Sequence, residues 1–115
     1  MKDNVIIITG ANGNVGSYFA KKYCDLGENL ILIVHKNDHR IKQLVSENIN
    51  RLKILKADIS DHSDLKFKLA EIITETGWKP DRLIHTATAR SHAIRSLADS
   101  DAELWKNIIN ANLIG

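Results

Sequence analysis

The feature that most constrains this chain is a short apolar run that stops at a glycine-rich turn. Residues 5–9 include three consecutive isoleucines, and Gly10, Gly13 and Gly16 follow at spacings of three. An apolar run without polar alternation indicates a parallel strand that is covered on both faces. Glycines directly after such a strand permit a sharp turn and a close backbone approach to a ligand. The stretch therefore predicts a strand, a tight turn and a helix, in that order.

The residues after the turn follow a helical pattern from about Asn14 to Gly27. Apolar side chains recur at spacings of four, four and three, at Val15, Phe19, Tyr23 and Leu26. This periodicity places them on one face of a helix. The amino end of such a helix offers unpaired N–H groups and a positive dipole end to an anion. We expect the turn to hold a nucleotide diphosphate; the alternative is a turn whose glycines serve backbone geometry alone.

The rest of the chain alternates apolar runs with helical patterns. Further strands are predicted at residues 30–34, 52–55 and 82–86, and further helices near residues 41–49, 61–76 and 100–109. We expect Asp38 to cap the second helix, Ser60 or Asp61 to cap the third, and Pro80 and Asp81 to form a turn before the fourth strand. Alternating strands and helices predict a doubly wound parallel α/β sheet of the Rossmann type, here its first four strands in the order 3-2-1-4.

Composition indicates an ordinary globular protein and argues against several classes of partner. The 115 residues are 43% hydrophobic and 26% charged, and the net charge of +2 is too small to favour nucleic acid or a membrane surface. The single cysteine, Cys24, cannot form a disulfide within the chain, which favours a reducing, cytoplasmic location. A four-stranded half-sheet leaves an edge uncovered. We therefore expect residues 1–115 to form one half-domain, truncated from a longer chain.

Four stretches, in this order, make the chain resemble the short-chain dehydrogenase/reductase family. Residues 9–16 (TGANGNVG) resemble its nucleotide turn, and residues 57–60 (ADIS) resemble the acidic motif after its third strand. Residues 83–88 (LIHTAT) lie where the family has its fourth-strand motif, and residues 104–115 resemble a helix that ends in N-x-x-G. The resemblance implies an oxidoreductase that moves a hydride between a nicotinamide dinucleotide and a small carbonyl or alcohol substrate.

The resemblance also implies which residues hold the dinucleotide. The nucleotide turn contributes Gly10, Asn12, Gly13, Asn14, Val15 and Gly16. Asp58, followed by Ile59, would accept a hydrogen bond from the adenine amino group, although an aspartate there can also cap the next helix. Ala87 and Thr88 are small residues past the fourth strand, where the cofactor would pass close to the backbone. No histidine, cysteine and carboxylate spacing indicates a metal site.

The end of the second strand favours NADP over NAD. An acidic residue there would accept hydrogen bonds from the ribose hydroxyls of NAD, but the sequence places Val34 at that position and then His35 and Lys36, with Arg40 nearby. A cation can pair with the additional 2′-phosphate of NADP. The alternative is that these cations are ordinary solvated surface charges.

The resemblance places the main catalytic groups, a serine and a Tyr-x-x-x-Lys helix, beyond residue 115. The one Tyr-x-x-x-Lys pattern present, Tyr18 to Lys22, lies in the helix after the glycine turn and does not match the catalytic position. Asn112 alone matches a catalytic position, with a structural role as its alternative. We therefore expect an enzyme in full-length form, a homo-oligomer by resemblance, and no activity from residues 1–115 alone. Two other interpretations are an extended-branch nucleotide-sugar epimerase or dehydratase and a non-catalytic NAD(P)-sensing protein.

Overall fold

A computed structural model of the chain describes residues 3–58 and 61–86. The predictions made for Ile59, Ser60, Ala87, Thr88 and Asn112 lie outside the described residues, as does the predicted last helix. Four strands and three helices alternate along the described chain: β1 (Asn4–Thr9), α1 (Asn14–Asp25), β2 (Asn29–Val34), α2 (Lys42–Glu47), β3 (Leu52–Lys56), α3 (His62–Thr76) and β4 (Lys79–His85).

The four strands form one parallel sheet in the order β3-β2-β1-β4. Ile7 on β1 pairs with Ile31 on β2 and with Leu83 on β4, so β1 lies inside the sheet with a partner on each side. Both the strand order and the doubly wound class were predicted correctly. All six residues of β2 are buried, which agrees with its uninterrupted apolar run.

Helices cover both faces of the sheet. On one face, α1 and α2 pack over alternate strand residues such as Ile6, Ile8 and Leu32. On the other face, Leu65, Leu69 and Ile73 of α3 pack over Ile7 and Ile33, among others. None of the described helices combines the length and the apolar content that a bilayer crossing requires.

The apolar face that periodicity assigns to α1 is not the face that the helix buries. Val15 and Leu26 are 58% and 65% exposed, and Phe19 and Tyr23 pack only at the margin of the core. The buried residues of α1 are the small ones, Gly16, Ala20 and Cys24. Small side chains let the helix lie close to the sheet, so the large apolar residues are displaced to its flanks and outer side.

Both α1 and α3 end at a glycine, and for α1 this is the predicted Gly27. Gly27 and Gly77 adopt left-handed backbone angles, with φ of 85° and 74°. After α1, the Gly27 N–H donates to the Cys24 carbonyl and the Glu28 N–H donates to the Tyr23 carbonyl, which satisfies carbonyls at the helix end. At the start of α3, the Asp61 side chain accepts a hydrogen bond from the Asp64 N–H, at 3.2 Å, and so caps the helix as predicted.

Two local predictions were wrong. Pro80 and Asp81 do not form a turn, because both lie within β4, where Pro80 pairs with Val5 beside a register shift. A proline is tolerated there because β4 is the edge strand of the sheet that the described residues form.

The Asp38 side chain does not cap α2. It pairs with Lys56 at 3.7 Å, and the Asp38 carbonyl instead accepts from the N–H groups at the start of α2.

Candidate functional site: a cleft at the carboxyl ends of the strands

The glycine turn is fixed between β2 and the residue that follows β4. Gly10 adopts a φ of 61°, and its carbonyl accepts a hydrogen bond from the Gly13 N–H at 3.0 Å. The Ala11 N–H donates to the Ile33 carbonyl on β2, at 3.1 Å. A Cβ atom on Gly10 would lie 1.9 Å from the carbonyl oxygen of Thr86. Only glycine therefore fits at residue 10, for reasons of both backbone angle and space.

The amino end of α1 opens directly from this turn. Gly13 is the N-cap residue, no side chain caps the helix there, and the first turn contains no acidic residue. The first N–H groups of a helix have no partner within the helix, and they carry the positive end of its dipole. This arrangement suits a bound anion, and a phosphate in particular.

A cleft of about 490 Å³ lies beside the turn and reaches the carboxyl ends of all four strands. Its lining comprises Thr9, Gly10, Asn12 and Gly13 from the turn, Ile33, Val34, His35, Lys36 and Asn37 after β2, Ala57 and Asp58 after β3, and Thr86 after β4. Carboxyl ends of parallel strands are where open α/β sheets bind ligands. The structure thus brings together residues that the sequence distributes over nearly eighty positions.

Most of the predicted cofactor residues that the structure describes line this cleft. They are Gly10, Asn12, Gly13, His35, Lys36 and Asp58. Asn14, Val15 and Gly16 do not line it; Asn14 and Val15 are exposed at the start of α1, and Gly16 is buried against the turn. A Cβ on Gly16 would lie 2.1 Å from the Gly10 carbonyl oxygen, so Gly16 permits the close packing of helix and turn that was predicted for it.

The charges around the cleft are unevenly distributed. His35 and Lys36 are exposed beside the buried end of β2, and Asp58 is exposed at the end of β3. Among the described lining residues, Asp58 is the only carboxylate. The rim after β2 is therefore cationic, and the rim after β3 offers a hydrogen-bond acceptor.

A polar network joins the ends of β1 and β4, and it was not anticipated from the sequence. The fully buried Thr9 hydroxyl accepts a hydrogen bond from the Thr86 N–H at 3.1 Å and lies 2.7 Å from Nδ1 of His85. The Thr86 hydroxyl donates to the carbonyls of Thr9 and Gly10. His85 therefore takes part in the polar contact between the carboxyl ends of β1 and β4. A threonine at a strand end carries no sequence signal for such a partner far along the chain.

The described residues contain no group of three or more histidine, cysteine, aspartate or glutamate side chains arranged to hold a metal ion. The Tyr18 and Lys22 pattern lies within α1, as expected, and the side chain of Tyr18 is 62% exposed.

Comparison with known proteins agrees with this architecture. The sequence model of the family described as short chain dehydrogenase matches residues 4–115. The chain therefore belongs to the short-chain dehydrogenase family, and the extended-branch interpretation is not favoured.

Three similar proteins illustrate this membership. An uncharacterised oxidoreductase of Staphylococcus epidermidis is 25% identical over 115 residues, which cover 100% of this chain and 48% of the relative. A short-chain dehydrogenase/reductase structure from Saccharomyces cerevisiae is similar in fold over 76% of this chain and 35% of the yeast chain, with a TM-score of 0.65 and 21% identity. The C-domain of a bacterial malonyl-CoA reductase with NADP covers 76% of this chain and 15% of its own, with a TM-score of 0.61 and 22% identity. The chain spans about half the length of the first of these relatives.

Proposed function

We propose that this chain binds the adenosine and pyrophosphate part of a nicotinamide dinucleotide, and that the whole protein is an NAD(P)-dependent oxidoreductase. The observation that carries the proposal is the uncapped amino end of α1, which opens from a glycine turn into a cleft at the strand ends. Family membership supports the same function. When bound, the cofactor would exchange a hydride with a carbonyl or alcohol carbon of a small substrate.

The residues present fit such a cofactor. Gly13 would face the pyrophosphate, since a Cβ there meets only the Gly10 carbonyl oxygen, at 3.4 Å, and would extend into the cleft space instead of clashing with the protein. Asp58 offers an acceptor for the adenine amino group. We also propose that Ile59, Ala87 and Thr88 contact the cofactor, and that Asn112 contributes to the catalytic site.

We propose NADP as the preferred cofactor. The cleft rim after β2 carries Lys36 and His35 and no carboxylate among its described residues, so it can pair with a 2′-phosphate and would not repel it. Since these side chains are exposed, the expected preference is modest, about fivefold in Kd, which corresponds to roughly 1 kcal/mol. One buried cysteine supports a reducing, cytoplasmic location, and the family resemblance supports a homo-oligomer.

Titration of the purified chain with NADPH and NADH, followed by calorimetry or nucleotide fluorescence, tests the proposal. Gly13→Val should weaken binding of both nucleotides at least tenfold, and Asp58→Ala should weaken both by about tenfold through the loss of one adenine hydrogen bond. Asn50→Ala is the control. Asn50 lies in the exposed turn at the amino end of β3, away from the cleft at the carboxyl ends of the strands, so neither affinity should change. Unchanged affinity in both site variants, with an unchanged melting temperature, would exclude this cleft as the nucleotide site. Equal affinities of the wild-type chain for NADPH and NADH would refute the preference for NADP.

A further inference from the structure

The glycine turn bonds to the chain on both sides of residues 35–37, once on β2 and once in the loop that follows it. On β2, the Ala11 N–H donates to the Ile33 carbonyl at 3.1 Å. At the far end of the loop, the Asn12 Oδ1 atom accepts a hydrogen bond from the Arg40 N–H at 2.7 Å. Two adjacent residues of the turn therefore hold the chain before and after residues 35–37, all three of which line the cleft.

The chemistry of the amide fixes the orientation of Asn12. A backbone N–H can only donate, so the oxygen of the Asn12 side chain must face Arg40, and its Nδ2 must face away. Nδ2 lies 3.3 Å from Nδ1 of His39. Since Nδ2 only donates, Nδ1 of His39 is the acceptor, and the neutral ring carries its proton on Nε2. Both ends of the Asn12 amide thus engage the loop.

Among the described residues, further hydrogen bonds of this loop lie away from the cleft. The Asp38 carbonyl accepts from the N–H groups of Ile41 and Lys42, at 3.0 and 2.8 Å. Ile41 is 1% exposed and anchors the loop in the core beneath α2. The ion pair of Asp38 with Lys56 spans 3.7 Å, and its lysine is more than half exposed, so solvent screens the pair and it contributes little. On the cleft side, the Asn12 side chain joins the loop to the turn.

We propose that Asn12 is a positioning residue for recognition of the 2′-phosphate of adenosine. It acts through the backbone of Arg40 and the ring of His39, and it holds the loop of residues 35–40, which carries Lys36 and Arg40, at a fixed distance from the glycine turn. This inference rests on the proposed function, because it assumes that the turn receives the 5′-phosphates. A loop that is already ordered loses less conformational freedom when its cations engage a phosphate.

The test compares two ligands that differ only in the 2′-phosphate, 2′,5′-ADP and 5′-AMP. Both occupy only the adenosine side of the site, which the described residues form. Asn12→Ala should weaken binding of 2′,5′-ADP roughly fivefold, as expected for the loss of the contacts that order the loop. Binding of 5′-AMP should weaken less, because the turn and the α1 amino end remain, so the affinity for 2′,5′-ADP relative to that for 5′-AMP should fall. Asn50→Ala, the control at the amino end of β3, should alter neither Kd.

Amide hydrogen exchange supplies a readout that binding alone does not. In Asn12→Ala, the Arg40 amide should exchange faster, whereas the Ala11 amide, bonded to Ile33, should keep its protection. Asn12→Asp keeps an oxygen acceptor for Arg40, so protection of the Arg40 amide should return. The carboxylate that this substitution introduces should nevertheless weaken binding of 2′,5′-ADP more than that of 5′-AMP, because it repels the additional phosphate.

Each outcome decides between the two proposals. If wild-type chain binds neither ligand, the proposed function fails. If wild type binds both and Asn12→Ala weakens both equally, or leaves Arg40 exchange unchanged, Asn12 does not position the loop and only this inference fails. If Asn12→Ala does not fold, His39→Ala serves instead, because it removes the contact between Asn12 Nδ2 and the exposed His39. A lower affinity for 2′,5′-ADP relative to that for 5′-AMP supports the inference. An unchanged ratio of these two affinities overturns it.

Discussion

Gly16→Ala tests how closely α1 must lie to the glycine turn. A Cβ at residue 16 would lie 2.1 Å from the Gly10 carbonyl oxygen and 2.8 Å from the Ala11 Cα. Both are backbone atoms of the turn, so no flexible side chain can move aside. Ordinary contact for a Cβ begins at about 3.4 Å, and α1 would have to withdraw by more than about 1 Å.

The expected cost follows from two opposing terms. Forcing a methyl group into a packed region costs about 1–3 kcal/mol, and here the obstruction is backbone, which favours the upper end of the range. Alanine regains up to about 1 kcal/mol over glycine within a helix. Withdrawal would also loosen the packing of Ala20 and Cys24 against the sheet. We expect a net loss of about 2 kcal/mol in the free energy of unfolding.

Urea unfolding, followed by far-ultraviolet circular dichroism, measures this loss directly. The matched control is Gly13→Ala, because a Cβ there meets only the Gly10 carbonyl oxygen at 3.4 Å and the backbone φ is −77°. Gly13 is the N-cap of α1, where alanine is disfavoured, so the stability of this variant should fall by no more than about 1 kcal/mol. The reasoning is refuted if Gly16→Ala is as stable as wild type, or if both alanine variants lose stability equally.

Two further substitutions test contacts that hold the fold. Thr9→Val keeps the shape of a fully buried side chain but removes the hydroxyl that accepts the Thr86 N–H and lies beside His85. It should lower the free energy of unfolding in urea by about 2 kcal/mol. A decrease below about 0.5 kcal/mol would show that the network does not stabilise the fold. Asp61→Ala removes the side-chain cap on the Asp64 N–H and should lower the free energy of unfolding by about 1 kcal/mol. Asp61→Asn keeps an acceptor and should retain most of the wild-type stability. Equal stability of the alanine and asparagine variants would contradict the capping role.

Much of the fold could be predicted from local sequence. The uninterrupted apolar runs of β1 and β2 predict buried parallel strands, and their alternation with helices predicts the sheet order that the structure has. Gly77 and Asp61 mark the ends of α3 through their own chemistry, since one permits a left-handed angle and the other accepts a backbone N–H. Signals of this kind depend on neighbouring residues only.

The packing of α1 shows where hydrophobic periodicity falls short. Periodicity gives most weight to large side chains, so it grouped Val15 and Leu26 on the apolar face of α1, yet both are exposed. The distance between helix and sheet instead requires small residues at the contact, and the large ones are displaced outward. In the candidate site, the glycine turn and the cationic rim could be predicted, but the bond between Asn12 and Arg40 could not, because it joins residues 28 positions apart through the folded shape of a loop.

The position of β1 between β2 and β4 has a consequence for how the chain folds. β1 pairs with β2 across a short connection, but its pairing with β4 joins Thr9 to His85 and must close a loop of more than seventy residues. Contacts so distant in sequence form late, since the entropy of closing the loop is lost before the pairing compensates for it. On the ribosome, β1, β2 and β3 emerge well before β4. Until β4 docks, Ile6, Ile7 and Ile8 form an open apolar edge, and intermediates at this stage are the ones most exposed to aggregation.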